Sequence, residues 1–475
     1  MIVLQKSTYK KLKGRVEIPT YEPESLVPAI VHIGLGHFHR SHFCYYLHML
    51  LQQGCTNWGI EEVDLLPCDT RERAIKQDYL YTLCSKDPQG SEQTCIIGCI
   101  LGYTEGWKHP DQVVDLIARE ETKLITLTIT EKGYCYDAEH QSLDWKHPAI
   151  SHDLEYPNTP QSAIGYLALG LSKRKYPLTI ASCDNMPSNG KVLKVCLQAY
   201  CQRVFPDVVP FLEHAVSFPL SMVDRITPNT TDSDSHNLIT KYGYQDNWSV
   251  VSEQFLQWVL EPVGLSGLPD FSQAGAIITS EVESYEVMKI RLLNGSHSAL
   301  AYPAYLLGYT QVDEAMGDKR LRTFIREQYM QEVGESIPLL SGFNQEAYKE
   351  QLIERFQNPC IRDTVLRLAQ DGSKKFTNAL TPALQYALKQ GLSTQAMVYA
   401  LAFWIQFLST ADPTLIDDQQ RQELLAAVQV IEQTPQHFFS LLGLSLEQGA
   451  RLREPLLSMV AFIRSNGVAE ALAFQ

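Results

Sequence analysis

Residues 29–33, Ala-Ile-Val-His-Ile, form an apolar run that ends in Gly34-Leu35-Gly36. The chain then passes into a helical pattern at residues 42–51, where Phe43, Tyr46, Leu47 and Leu50 recur at i, i+3, i+4 and i+7. A strand that stops at a glycine turn and feeds a helix opens a βαβ unit. Two more β-branched runs follow. Residues 124–130 halt at Glu131-Lys132-Gly133, and residues 178–183 halt at Asp184-Asn185. Strands that alternate with helices predict a doubly wound parallel sheet of Rossmann-like type. Beyond about residue 280 strand runs become scarce. Residues 287–307, 397–408, 424–431 and 456–463 read as helices, the last with Leu456, Met459, Val460 and Ile463 on one stripe. The expected fold is therefore α/β, with a Rossmann-like N-terminal domain over residues 1–280 and a mostly α-helical C-terminal domain over residues 281–475.

Composition narrows the classes of function. The 475 residues carry 54 acidic against 40 basic side chains, a net charge of −14. Such a chain lacks the basic footprint that phosphate backbones or anionic membranes select, so neither nucleic acid nor membrane is expected as a partner. The most apolar window, residues 397–408, is too short to span a bilayer. Eleven cysteines without a Cys-x-x-Cys pair, and no secretory leader at the start, point to reduced thiols in a cytoplasmic protein.

The turn Gly34-Leu35-Gly36-His37-Phe38-His39 lacks the third glycine of the usual dinucleotide fingerprint, but its strand–turn–helix context favours a cofactor reading. Asp64 and Asp69 stand about 30 residues past Gly34 as acids for a ribose, where about 20 is usual. Glu61 and Glu62 add negative charge there and favour NAD over NADP, against Arg71 and Arg73. His37, His39 and His42 do not share one face, and no cysteine or carboxylate completes a metal-ligand spacing beside them, so no metal is expected.

Two further segments carry chemistry. Ser182-Cys183-Asp184-Asn185-Met186-Pro187-Ser188-Asn189-Gly190 follows a strand's carboxyl end, where open α/β sheets place ligands, and equally reads as an Asx-rich helix cap. In residues 285–297, Glu286, Lys289, Asn294 and His297 fall within roughly 140° of an α-helical circumference, beside Leu292 and Leu293. That is not an ordinary solvated face. Tyr285 and Lys289 also form Tyr-x-x-x-Lys, but some 255 residues past the glycine turn, too far for the short-chain dehydrogenase pair.

Together the segments at 30–43, 127–135, 182–190, 218–230, 253–261, 285–302 and 371–376 resemble the polyol-specific long-chain dehydrogenases, the mannitol dehydrogenase family. The resemblance implies a zinc-independent, NAD-linked interconversion of a secondary alcohol and a ketose. D-mannitol and D-fructose are the foremost pair, with fructuronate reduction to D-mannonate or D-arabinitol oxidation as alternatives. It implies Lys289 as the base, Asn185 and Asn294 as oxyanion donors, His297 as the residue orienting substrate, and Glu286 as a proton conduit or ion-pair partner. Asp224, Arg367 and Lys375 are implied as polyol contacts. Gly34, Gly36, Phe38, His39, Arg40, Asp69, Thr130 and Glu131 are implied as cofactor contacts. The resemblance further implies a monomer whose partner is its small-molecule polyol or ketose. The chemistry is consistent: a buried lysine tuned towards neutrality takes the hydroxyl proton, while fixed amides stabilise alkoxide character. His37, where the family more often has glycine, and Glu61, Glu62 and Asp64, which replace a glycine-rich stretch, are departures on the cofactor side.

Overall fold

The computed structural model describes residues 2–67, 70–262 and 267–473. The chain divides into two compact units, one comprising Met1–Asp87 and Ser91–Glu283, the other Ser284–Gln475 with Pro88–Gly90.

The first unit is organised by six parallel strands: β1 (Val27–Ile33), β2 (Trp58–Asp64), β3 (Ile100–Glu105), β4 (Leu124–Leu127), β5 (Leu178–Ser182) and β6 (Val216–Ser217). They lie in the order β3-β2-β1-β4-β5-β6, and every neighbouring pair is parallel. Strand order reverses between β1 and β4, whose register pairs His32 with Thr126 and Ile33 with Leu127. Ligands of such sheets bind at this switch point, outside the carboxyl ends of the strands. The strands read as unbroken apolar runs because both faces are covered. Val31, Ile33 and Ile125 pack on one face with Ile164 and Leu167 of helix Ala163–Lys173. Ile30, Ile60 and Leu124 pack on the other with Phe43 and Leu47. Those two residues belong to α2 (Phe43–Gln52), which follows the short α1 (His37–Ser41) across a break at His42. A three-stranded sheet of Val250–Glu253, Tyr81–Lys86 and Glu92–Ile97 is appended to this unit, and the sequence pattern does not anticipate it.

The second unit is helical, and among the described residues no sheet strand follows Ile278. Helix Gln395–Thr410 is buried from Ala396 to Ile405 without a polar stripe, as a helix enclosed on all sides must be. Leu456, Met459, Val460 and Ile463 form the buried stripe of Leu446–Asn466. The expected single helix at 287–307 is instead three pieces: α3 (Val282–Lys289), a π-helical turn (Ile290–Asn294) and α4 (Gly295–Leu306). No helix among the described residues is long and apolar enough to cross a membrane. The ten described cysteines are all free thiols.

Candidate active site

The glycine turn is fixed by its neighbours. Gly34 has φ +107°, and a Cβ there would lie 2.2 Å from the Thr128 carbonyl oxygen, so only glycine fits. Gly36 is exposed and extended (φ −101°, ψ 177°), with nothing within 4 Å of where a Cβ would stand. The Leu35 N–H donates to Asp64 Oδ1 at 3.0 Å, and the Tyr103 hydroxyl donates to Asp64 Oδ2 at 2.8 Å. Asp64 therefore braces the turn from the end of β2. Asp69, the acid implied for the ribose, lies outside the described residues. Phe38 is half-buried and stacks on His42, ring centroids 4.9 Å apart. A cavity of about 320 Å³ opens alongside α1, lined in part by His37, Arg40, Arg73, Asn229 and Trp248. Burial, with Arg40 and Arg73 nearby, pushes the His37 imidazole down to about 4.

Two residues implied as cofactor contacts are almost wholly buried. His39 is fully buried, its Nε2 2.7 Å from Glu62 Oε1 and 3.1 Å from Cys44 Sγ. Arg40 is 2% exposed, donates to the Trp248 carbonyl, and lies over that indole at 4.4 Å. The expected acidic cluster at the ribose is also redistributed. Successive strand residues face opposite sides, so Glu62 enters the core towards His39. Glu61 faces the other way, towards Gly102, whose Cβ would meet Glu61 Oε2 at 2.3 Å.

His32, His39 and Glu62 bring possible metal-ligand atoms within 4.8 Å of one another. The two imidazoles are stacked, 3.3 Å apart at 12°, instead of converging in their planes on one point. Both His32 nitrogens are engaged by Thr126, Thr128 and the Gly34 carbonyl. His32 is thus held in a hydrogen-bond network, while His39 Nδ1 and Glu62 Oε2 are buried without a hydrogen-bond partner.

At the ends of β4 and β5 the Asp184 carboxylate accepts the N–H groups of Ile129 (2.9 Å) and Thr130 (3.0 Å) and the Tyr134 hydroxyl (2.7 Å). This holds Thr130 at φ +59°, with Glu131 following in a 3-10 turn. Asn189 is buried. Its amide donates to the Ser221 carbonyl at 2.8 Å, and its Oδ1 accepts from Ser221 N–H at 3.1 Å. These bonds tie the loop to strand Ser221–Asp224, which ends on the buried Asp224. Asn185 stands exposed in the loop between Asp184 and Asn189. Asp184 and Asn189 were legible only as Asx caps; their spacing around Asn185 is the signal that marks them as its frame.

In the second unit Lys289 is buried at the last residue of α3. In a straight α-helix a residue five positions on lies about 140° around the axis. The π turn between Lys289 and Asn294 bonds i to i+5 and brings Asn294 towards the lysine's face. The Asn294 amide oxygen is buried without a hydrogen-bond partner. His297 packs on Phe356, centroids 4.5 Å apart. Burial, with Arg367, Lys375 and Arg355 adding, holds its imidazole well below the usual range and therefore neutral. Arg367 is gripped on two nitrogens by the Asp363 carboxylate. Lys375 Nζ donates to the Leu368 carbonyl at 3.0 Å, and burial, with Arg367 beside it, lowers it to about 8. Glu286 is half-buried one turn before Lys289. Tyr285 packs edge-on against the half-buried Phe343. Arg355 and Asp363 were not anticipated; neither stands within the segments that drew notice.

The mannitol dehydrogenase Rossmann domain model matches residues 28–270, and the mannitol dehydrogenase C-terminal domain model matches residues 281–453. A mannitol 2-dehydrogenase of Aspergillus fumigatus is 34% identical over 96% of this chain and 95% of its own. The D-mannonate oxidoreductase of Escherichia coli is 36% identical over 83% of this chain and 82% of its own. The Pseudomonas fluorescens mannitol 2-dehydrogenase, solved as a ternary complex with NAD and D-mannitol, superposes with a TM-score of 0.88 at 31% identity, covering 100% of this chain and 99% of that one. With both domain models matched in order and relatives aligned over nearly its whole length, the chain belongs to the mannitol dehydrogenase family.

Proposed function

We propose that the protein is an NAD-dependent polyol dehydrogenase that interconverts D-mannitol and D-fructose without zinc, with Lys289 as its base. The observation that carries this reading is the buried Lys289 followed across a π turn by Asn294 and then by the neutral His297. The turn of the first unit fits a dinucleotide. Gly36 leaves bare backbone where a side chain would obstruct the approach, and Gly34 is held against β4. Gly34, Gly36 and Phe38, with Asp69, Thr130 and Glu131, would hold the cofactor, while His39 and Arg40 support them. When bound, NAD supplies the hydride acceptor for oxidation, and its reduced form supplies the hydride for reduction.

The protein's own part is to bind, orient and move a proton. Lys289 in its amine form takes the hydroxyl proton of the polyol and returns it to the ketose oxygen in reduction. Asn185 and Asn294 donate to the oxygen as it gains alkoxide character; amides do so without titrating. His297 stays neutral and so offers one donor and one acceptor to neighbouring hydroxyls. Asp224, Arg367 and Lys375 contact the remaining hydroxyls, and Glu286 passes the proton between Lys289 and water.

The charges near His297 favour a second reading. Arg355, Arg367 and Lys375 all act on the imidazole, and such a group also suits the carboxylate of fructuronate, reduced to D-mannonate. The decisive experiment compares kcat/KM for fructose and fructuronate with NADH. A higher value for fructose supports the mannitol assignment, and a much higher value for fructuronate replaces it. The same reading expects a cytoplasmic monomer, which fractionation of the source cells and light scattering of the purified protein check.

A further inference from the structure

His32 is a fully buried histidine, the second-to-last residue of β1, on the same side of the sheet as Ile30. Its Nε2 lies 3.0 Å from the Gly34 carbonyl oxygen and 2.9 Å from Thr128 Oγ1, and its Nδ1 lies 2.7 Å from Thr126 Oγ1. A carbonyl only accepts, so Nε2 carries the ring proton and Nδ1 accepts from the Thr126 hydroxyl. The same Gly34 oxygen takes the Thr128 hydroxyl at 2.7 Å and the Gly36 N–H at 2.9 Å. Three donors thus converge on a single carbonyl of the glycine turn.

The ring that supplies one of them is itself held from behind. His39 stacks on it at 3.3 Å and is anchored by Glu62 at 2.7 Å. Burial alone would lower the His39 imidazole, but its neighbours Cys44 and Glu62 outweigh it and raise it to about 10. Burial, and then the neighbouring His39 charge, keep His32 neutral, as its single ring proton requires.

A carbonyl oxygen facing a pyrophosphate repels it, whereas backbone N–H groups attract it. We propose that His32 is a positioning residue for the cofactor: together with Thr128 it ties the Gly34 carbonyl into the sheet, so that this oxygen is occupied by donors and not turned on the pyrophosphate where it approaches Gly36, with the Glu62–His39 pair as the backstop. This rests on the NAD reading above.

The test is NADH binding by fluorescence titration, with steady-state kinetics alongside, for wild type, His32→Leu, His32→Gln and Thr128→Val. The leucine variant removes the donor, the glutamine variant can restore one, and the valine variant deletes a hydroxyl at nearly constant shape. The expected result is a dissociation constant raised about tenfold in His32→Leu and about threefold in Thr128→Val, the loss of one or part of one hydrogen bond. His32→Gln recovers most of the loss, while kcat at saturating NADH and the KM for ketose stay within about twofold. If His32→Leu fails to fold, Thr128→Val and His32→Gln against wild type carry the same comparison. Unchanged NADH affinity in folded Thr128→Val and His32→Leu overturns the inference, as does a fall in kcat and a rise in ketose KM that match the change in NADH affinity. A wild type that binds no NADH overturns the cofactor reading itself. Wild-type binding with indifferent variants overturns this inference alone.

Discussion

Gly34 packs so closely on Thr128 that a single added methyl would come within 2.2 Å of the Thr128 carbonyl oxygen, while Gly36, two residues on, meets nothing within 4 Å. The two glycines of one turn therefore serve different ends, and their alanine variants separate them. Gly34→Ala is expected to destabilise the first unit, because the clash is with backbone and φ is +107°. Its melting temperature should fall by several degrees. Gly36→Ala is expected to keep the wild-type melting temperature and to weaken NADH binding about tenfold or more, since its methyl group stands where the dinucleotide backbone would approach. Calorimetry and fluorescence titration of the two variants check both halves.

The buried His39–Glu62 pair gives stability a pH dependence. The folded imidazole is raised to about 10, above the 6.5 of an unfolded histidine. Its contribution is therefore complete below about pH 6.5 and is lost as pH rises towards about 10. Glu62, raised by burial, acts with the same sign from its lower range. Thermal melts across this window should show a falling melting temperature, and the slope should flatten in His39→Gln. An equally steep slope in that variant would assign the effect to other groups.

Asn294→Ala should lower kcat by about 10²–10³, the usual cost of removing one donor from a developing alkoxide, and leave NADH affinity unchanged. Stopped-flow reduction of the ketose separates this from a binding defect: the hydride-transfer step slows, while the binding phase for NADH does not.

Zinc independence is checked by prolonged dialysis against a chelator. Activity should persist undiminished, and added zinc should not raise it. The stacked His32 and His39 rings give a metal no convergent site, so neither imidazole should register in zinc titrations.

Much of the architecture can be read from local pattern. The strand–glycine–helix unit at residues 29–51 and the β-branched runs before Glu131 and Asp184 carry their own geometry, because backbone preference and burial agree there. The second-unit segment is legible for a chemical reason: Lys289, Asn294 and His297 interrupt an apolar helix where solvation does not explain them. The π turn between Lys289 and Asn294 is not legible, since whether a helix bonds i to i+4 or to i+5 is set by packing around it. The Glu61–Glu62 pair misleads as a charge cluster, because counting acids ignores the pleat that sends one into the core and the other to the opposite face. His32 escapes notice for the same reason. Its partners Thr126 and Thr128 stand about a hundred residues away and meet it only through the register of β1 against β4.

Replacement of Lys289 by alanine tests the account most directly. With NADH affinity measured in parallel, the prediction is a kcat for ketose reduction lowered by about 10²–10⁴, the range of general acid–base catalysis, with the NADH dissociation constant unchanged. Wild-type kcat in a folded, NADH-binding Lys289→Ala protein would contradict it.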